Sequence, residues 1–369
     1  LGARMRAVVF TGPSEPALVR EVQLAPPGRG EVSVAIAAAG VCHSDLHVRR
    51  GDWHVPVPLV MGHEGAGIIE AVGPEVSGLA EGDHVVLSWI APCGQCRFCL
   101  AGHPVRCKIA ATVVGPGGVL MDGTARLSLS GQPIHHYLGV SSFAERAVVP
   151  ASGAIRVRDD APLDVVALVG CAVATGVGAV MNTAAVEPGA TVAVIGCGGV
   201  GLSVVQGARL AGASRIVAID LRPEKTQLAR RLGATDEVDA AAADTVTAVR
   251  DLLPDGVDYA FDAIGLTSTT AQAIAMLGLG GAAVLVGLPA DGATVSFEPL
   301  VLAESDQRIL GSNYGSVRPG ADIPALVDRF MDGELLLNEL ISSREPLESA
   351  SAALDELEAG RALRTLLIP

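Results

Sequence analysis

The segment Thr191-Val192-Ala193-Val194-Ile195, running directly into Gly196-Cys197-Gly198-Gly199-Val200-Gly201, constrains this chain more than any other stretch. A short apolar run rich in β-branched residues reads as a buried strand. The glycines that follow impose a tight turn, and the small residues of 202–211 continue as a helix. A second strand, Arg215-Ile216-Val217-Ala218-Ile219, ends on Asp220. An acid at the end of the next strand, about 20 residues after a G-x-G-x-x-G turn, is the dinucleotide-binding arrangement. Glycines let the backbone approach a pyrophosphate, and the helix start offers free N–H groups at the positive end of its dipole. Asp220 would accept hydrogen bonds from ribose hydroxyls and repel a 2′-phosphate, which favours NAD over NADP, while Arg222 tempers that preference.

The alternation continues, with helical patterns at 225–232 and 269–277 and strand patterns at 258–262, 282–287 and 309–312. This predicts an α/β doubly wound parallel sheet with its ligand at the carboxyl ends of the strands. The first third is different. Short apolar segments at 5–10, 31–38, 67–72 and 84–87 are punctuated by Gly and Pro, with no long helical period before about residue 160, as in a mainly antiparallel β domain. The 369 residues therefore divide into more than one domain. Amphipathic helices at 325–332 and 347–358 and a strand at 361–368 form a tail able to return to the first domain. With 26 Lys and Arg against 40 Asp and Glu, the net charge of −14 argues against nucleic acid or an anionic membrane as partner. No apolar run is long enough to span a bilayer, and the N-terminus lacks the apolar core of a signal peptide.

Four of the seven cysteines, Cys93, Cys96, Cys99 and Cys107, stand in a C-x2-C-x2-C-x7-C spacing. Four thiolates close a tetrahedral zinc completely, which is structural chemistry; an iron–sulfur cluster uses the same ligand count. The odd total and the clustering fit metal binding in a reducing, cytoplasmic compartment better than a disulfide framework. A second concentration of chemistry is Gly40-Val41-Cys42-His43-Ser44-Asp45-Leu46-His47, answered by Gly62-His63-Glu64. A catalytic zinc takes three protein ligands and keeps one position open. Cys42 and His63 are two candidates, and Cys171, breaking the helical run 163–180, is the candidate third; a buried structural cysteine is the competing reading. Residues 108–135, rich in Gly, Thr and Ser, read as a long connection of the functional kind.

With these motifs in this order, the sequence resembles the zinc-dependent alcohol dehydrogenases of the medium-chain dehydrogenase/reductase superfamily over essentially its whole length. The likeness is carried by Gly62-His63-Glu64-Gly65-Ala66-Gly67, the four-cysteine segment, the glycine fingerprint and the terminal Arg364-Thr365-Leu366-Leu367. It implies a Rossmann domain at 173–312, a GroES-like catalytic domain at 1–172 with a structural zinc lobe near 93–107, and a C-terminal return at 313–369. It makes Cys42, His63 and Cys171 the catalytic zinc ligands, Glu64 a nearby acid and Asp45 the carboxylate that orients His63. It assigns Cys93, Cys96, Cys99 and Cys107 to the structural zinc, giving two zinc ions per chain. Gly196, Gly198, Gly199, Val200 and Gly201 would cradle the pyrophosphate, Asp220 and Lys225 would hold the adenosine ribose, and Val286 would border the cofactor. His43 and Arg364 would contact the phosphates.

The implied reaction is reversible hydride transfer from a zinc-bound alkoxide to NAD, with the proton leaving through Ser44, the nicotinamide ribose and His47. By position Trp53, Trp89, Tyr137, Leu138, Leu288 and Tyr314 would line the substrate pocket, and the two tryptophans favour primary or slim alcohols. The length of 108–135 matches the dimeric branch, which implies a homodimer joined by strand pairing between dinucleotide domains. Three rival readings stand beside this one. A glutathione- or mycothiol-adduct formaldehyde dehydrogenase or S-nitrosothiol reductase would need a cation for a carboxylate-bearing thiol, with Lys108 and Arg126 the candidates. A nicotinoprotein would keep its NAD bound. A non-catalytic zinc- and NAD-binding protein would have broken ligands, and Cys42, His63 and Cys171 are intact.

Overall fold

The computed structural model describes residues 2–13 and 15–369. Its contacts divide the chain into two units, residues up to Cys171 together with Arg318–Pro369, and Ala172–Val317.

The first unit is built on β structure. Strands Ala3–Phe10, Leu18–Leu24, Leu127–Leu129, Gln132–His136 and Leu59–Val60 close a small barrel. Beside it lies a seven-stranded sheet in the order Ala154–Arg156, His84–Leu87, Glu64–Val72, Glu31–Gly40, Arg364–Ile368 and Ile341–Pro346, with Arg146–Pro150 paired to Glu31–Gly40. Most pairings are antiparallel, as the hairpin-like turn spacing predicts. The exceptions are Ile341–Pro346 with Arg364–Ile368 and Leu59–Val60 with Gln132–His136. Register decides where the chemistry goes. Gly40 pairs with Glu64 on one side and with Leu366 on the other, so Cys42, His63 and Arg364 emerge at the same end of adjacent strands. A Cβ on Gly40 would run into the Glu64 carboxylate and force that buried side chain to move.

Two local expectations differ from what is found. The segment containing Cys42 to His47 carries no long helical period, yet His43–Arg50 is an eight-residue helix. Its polar sequence hides it, since only Leu46 and Val48 are apolar; capping supplies the missing signal. Cys42 is the N-cap, and its N–H donates to Asp45 Oδ2 at 2.9 Å. The helix stops at Gly51 in the left-handed conformation (φ 77°). Likewise the connection 108–135 is not structureless. It holds short helical turns at Ala110–Val114 and Gly115–Gly117 and then two barrel strands, Leu127–Leu129 and Gln132–His136. Those strands are short and polar on one face, too brief for an alternating pattern to stand out.

The second unit is a six-stranded all-parallel sheet in the order Asp236–Asp239, Arg215–Asp220, Thr191–Ile195, Val257–Asp262, Leu277–Leu285, Arg308–Gly311. This is the doubly wound dinucleotide-binding order. The edge strand Asp236–Asp239 escapes a hydrophobicity reading because three of its four residues are acidic and only Val238 is buried. Gly201 is required where it stands, since a Cβ would run into the carbonyl of Gly196. The helix Gly199–Leu210 therefore packs tightly behind the turn, as the fingerprint predicts. Among the described residues no single helix is long and apolar enough to cross a membrane.

Candidate active site

Cys42, His63 and Cys171 bring one ligand atom each to within 4.8 Å of one another, and all three residues are buried. Cys42 arrives as the N-cap of His43–Arg50 and His63 from the residue before strand Glu64–Val72. Cys171 follows a 3-10 turn, Ala167–Gly170, that the absence of a side chain on Gly170 lets pack against the Leu87 carbonyl. Asp45, fully buried, does two things at once. One carboxylate oxygen caps the helix, and the other lies 3.3 Å from His63 Nδ1. With Nδ1 so engaged, His63 presents Nε2, a buried nitrogen with no hydrogen-bond partner among the described residues. An orphaned imidazole nitrogen facing two thiols is the donor set of a zinc site with one position left open.

Electrostatics agree with that reading. A hydrogen bond from Cys171 favours a thiolate on Cys42 against the effect of burial, and Arg364 and His63 reinforce it; Cys171 moves up in response. Burial disfavours the charged form of His63, but Asp45 and Cys42 outweigh it and push its pKa up to about 10. A metal ion would take the place of that proton. Arg364 is almost wholly buried, with its Nη2 3.7 Å from Cys42 Sγ and its Nε 3.5 Å from Glu64 Oε1. It supplies a fixed positive charge to the thiolate and to Glu64. His43, by contrast, is exposed at the first residue of its helix.

Ser44 is half-buried with Oγ 3.9 Å from Cys42 Sγ. His47, one turn further along, is gripped from two directions. Its Nδ1 is 2.9 Å from Asp52 Oδ2, and its ring stacks on Trp53 with centroids 4.4 Å apart and planes 19° from parallel. Asp52 was not among the expected site residues. Its signal is faint, an acid placed just after the glycine that ends the helix. Of the expected pocket residues, Tyr137 is buried with its ring edge-on to His63 at 5.4 Å, and Trp53, Trp89 and Leu138 pack against the same apolar cluster. In the other unit Tyr314 is buried, whereas Leu288 is exposed and lines a cavity of about 670 Å³ with Leu285, Pro289, Val295, Phe297 and Ile309.

The four remaining metal candidates, Cys93, Cys96, Cys99 and Cys107, also gather their sulfurs within 4.8 Å, with no disulfide among them. Backbone N–H groups support the sulfurs, Cys93 N donating to Cys107 Sγ at 3.3 Å and Cys96 N to Cys93 Sγ at 3.4 Å. Four thiols with no open position are a donor set that fits a zinc site of the structural kind.

In the dinucleotide unit, Asp220 ends its strand and accepts from the N–H of Cys197 in the glycine turn at 2.8 Å and from that of Arg222 at 3.0 Å. It thereby ties the two halves of the fingerprint together, and each carboxylate oxygen keeps acceptor capacity for a ribose hydroxyl. Lys225 lies half-buried on the helix that follows, and Val286 is buried immediately after strand Leu277–Leu285.

Comparison with known proteins decides the family. Residues 28–159 match the alcohol dehydrogenase GroES-like domain, and residues 199–332 match the zinc-binding dehydrogenase domain. The chain belongs to the zinc-dependent alcohol dehydrogenase family. The dehydrogenase is 38% identical to an S-(hydroxymethyl)glutathione dehydrogenase from Escherichia coli, over 99% of both chains. Its structure resembles an alcohol dehydrogenase zinc-binding domain protein from Burkholderia ambifaria (TM-score 0.95, 37% identity, 100% of both chains). It also resembles benzyl alcohol dehydrogenase from Acinetobacter calcoaceticus (TM-score 0.94, 32% identity, 99% of both chains). The dehydrogenase is thus an oxidoreductase that uses zinc and NAD, with a GroES-like and a Rossmann unit and small alcohols or aldehydes as its substrate class.

Proposed function

We propose that the enzyme oxidises primary or slim alcohols to aldehydes, and reduces them in reverse, with Cys42, His63 and Cys171 holding the catalytic zinc. When bound there, zinc lowers the pKa of an alcohol hydroxyl and polarises a carbonyl, and NAD accepts the hydride. The chain's own residues do the rest. Arg364 offsets the negative charge of the Cys42 thiolate and of Glu64, and Asp45 keeps His63 in the tautomer that offers Nε2. Ser44 takes the alcohol proton, and His47, on the same helix face, passes it to solvent. Asp52 holds His47 through Nδ1 and so leaves Nε2 as the nitrogen for that transfer. Trp53, Trp89, Tyr137 and Leu138 supply an apolar surround that favours a slim, uncharged substrate.

The observation that carries this reading is the state of Arg126. Its guanidinium donates to both oxygens of buried Glu31 at 2.8 Å, to Asp122 at 2.6 Å and to the Thr124 hydroxyl. Four of an arginine's five donors are spent and two carboxylates face its charge, so it offers nothing to a carboxylate-bearing thiol. That leaves exposed Lys108 as the remaining cation considered for such a substrate. The similarity to S-(hydroxymethyl)glutathione dehydrogenases supports the second reading, a thiol-adduct dehydrogenase. A steady-state panel with NAD and NADP, alongside zinc analysis, separates the two. Hexanol and benzyl alcohol are expected to exceed S-(hydroxymethyl)glutathione in kcat/KM by about 100-fold, the scale of two lost charge-assisted hydrogen bonds. Faster turnover of the adduct sinks the alcohol reading.

A homodimer is part of the same proposal. Arg308–Gly311 is an open edge of the parallel sheet, and exposed Leu279, Phe297, Leu300 and Val301 belong to the same unit. The seven unpaired cysteines support a reducing, cytoplasmic setting.

A further inference from the structure

Tyr137 does more than wall the site. Its hydroxyl donates to the carbonyl of Ser44 at 3.2 Å, while its ring meets His63 edge-on at 87°. The residue that joins these two partners on the other side is Asp45, adjacent to Ser44 in the chain and 3.3 Å from His63 Nδ1. The contacts form a closed circuit, from His63 to Asp45, along the backbone to Ser44, through the Tyr137 hydroxyl to its ring, and back to His63. Tyr137 is held firmly enough to serve as a fixed point. Its N–H donates to Ser141 Oγ at 3.0 Å, and Ser141 Oγ donates to the Val60 carbonyl at 2.9 Å, three residues before His63. Leu138, Gly139 and Ser141 all take left-handed backbone conformations (φ 52°, 67° and 58°). Non-glycine residues in that region persist only where the surroundings over-determine them. The loop therefore aims one hydroxyl at one carbonyl, and a buried tyrosine hydroxyl needs that partner.

We propose that Tyr137 is a positioning residue for proton transfer, holding Ser44 in place relative to the metal ligands through its hydroxyl. A phenylalanine would fill the same space and keep the edge contact with His63, but it would remove the hydroxyl tether on the first turn of the helix. The Ser44 side chain would then sample positions away from Cys42, and fewer bound alcohols would find the hydroxyl aligned. This rests on the reading of Ser44 as the first proton acceptor.

The test is a double-mutant cycle on the zinc-loaded enzyme, reading the single-turnover rate of NADH formation from alcohol. Ser44→Ala is expected to lower the rate about 100-fold, the scale of general acid–base assistance. Tyr137→Phe should lower it about fivefold, with KM for the alcohol and zinc content unchanged, the scale of one net hydrogen bond. The decisive result is the double variant, Tyr137→Phe with Ser44→Ala, which should be no slower than Ser44→Ala alone. If the two losses multiply, the Tyr137 hydroxyl acts independently of Ser44 and the proposal is overturned. Loss of zinc in Tyr137→Phe would also overturn it, by showing that the residue acts on His63. An unchanged rate in Ser44→Ala would instead remove the relay reading itself, and with it anything for Tyr137 to act through.

Discussion

The two cysteine-bearing candidate metal sites of the first unit use the same element of chemistry and are built in opposite ways. The four-cysteine lobe is local, with every ligand in one short segment, three of them half-buried, and backbone N–H groups of that segment supporting the sulfurs. The Cys42–His63–Cys171 site is assembled from three distant stretches, is wholly buried, and is surrounded by Asp45, Glu64 and Arg364. The ligands of the lobe all lie between Cys93 and Cys107, so no pairing of distant strands is needed to gather them. The buried site exists only after strand register has brought the ends of Glu31–Gly40 and Glu64–Val72 together. Ligand number is the basis of the roles proposed for them, since four thiolates leave no position for a substrate and three ligands leave one.

The most severe way to break the comparison is to remove one ligand from each site. His63→Ala should cost about 1,000-fold in kcat, a loss of several kcal/mol of charge stabilisation, and leave one zinc per chain with little change in melting temperature. Cys107→Ala should do the reverse. Losing the lobe metal should lower the melting temperature by roughly 5 °C, while kcat per folded molecule stays close to wild type. Metal analysis, calorimetry and steady-state kinetics on both variants check this. If both lose activity to the same degree, the division of labour is wrong. A finer cut is Asp45→Asn, which spares all seven cysteines and His63. It should weaken the catalytic zinc by about 10- to 100-fold in chelator competition and leave the lobe zinc untouched. Equal weakening of both sites would mean that Asp45 acts through global stability.

The smallest expected effect sharpens a related contrast between two buried histidines. Asp45 and Cys42 carry His63 up to about 10 despite burial, whereas burial, aided by the positive charge of Arg126, drives His136 down to about 3. His136 stays neutral, with Nε2 accepting the Arg126 N–H at 3.0 Å. The sign of the pH effect follows. Between its ordinary value of 6.5 and about 3, the unfolded chain binds a proton at this position and the folded chain does not, so stability is whole above pH 6.5 and falls with pH below it. The contribution is on the order of 2 kcal/mol at pH 5. Melting curves of His136→Gln, which keeps an acceptor for Arg126, should show a shallower decline than wild type between pH 6.5 and pH 5. Parallel curves would remove His136 as the source.

Much of this enzyme was readable before any fold was known. The glycine fingerprint between two apolar strands led to the parallel sheet because only glycine permits the approach of Gly201 to Gly196. The cysteine spacing led to the lobe because its ligands are neighbours in sequence as well as in space. The helix His43–Arg50 was not readable, since a capping carboxylate stabilises it in place of an apolar stripe. Nor was the strand Asp236–Asp239, where three acids on a sheet edge surround one buried apolar residue, Val238.

The sequence by itself therefore determined the residue types, the cofactor class and the spacing of each motif, all of which are short-range features. The tertiary structure alone decided which groups are free to act. Arg126, a candidate substrate cation by sequence, is consumed by Glu31 and Asp122. Asp52 and Tyr137 gain their partners from contacts that local spacing does not announce, His47 across the end of a helix and Ser44 across 93 residues. A hydrogen bond is satisfied in three dimensions, and availability is what remains after every such bond has been made.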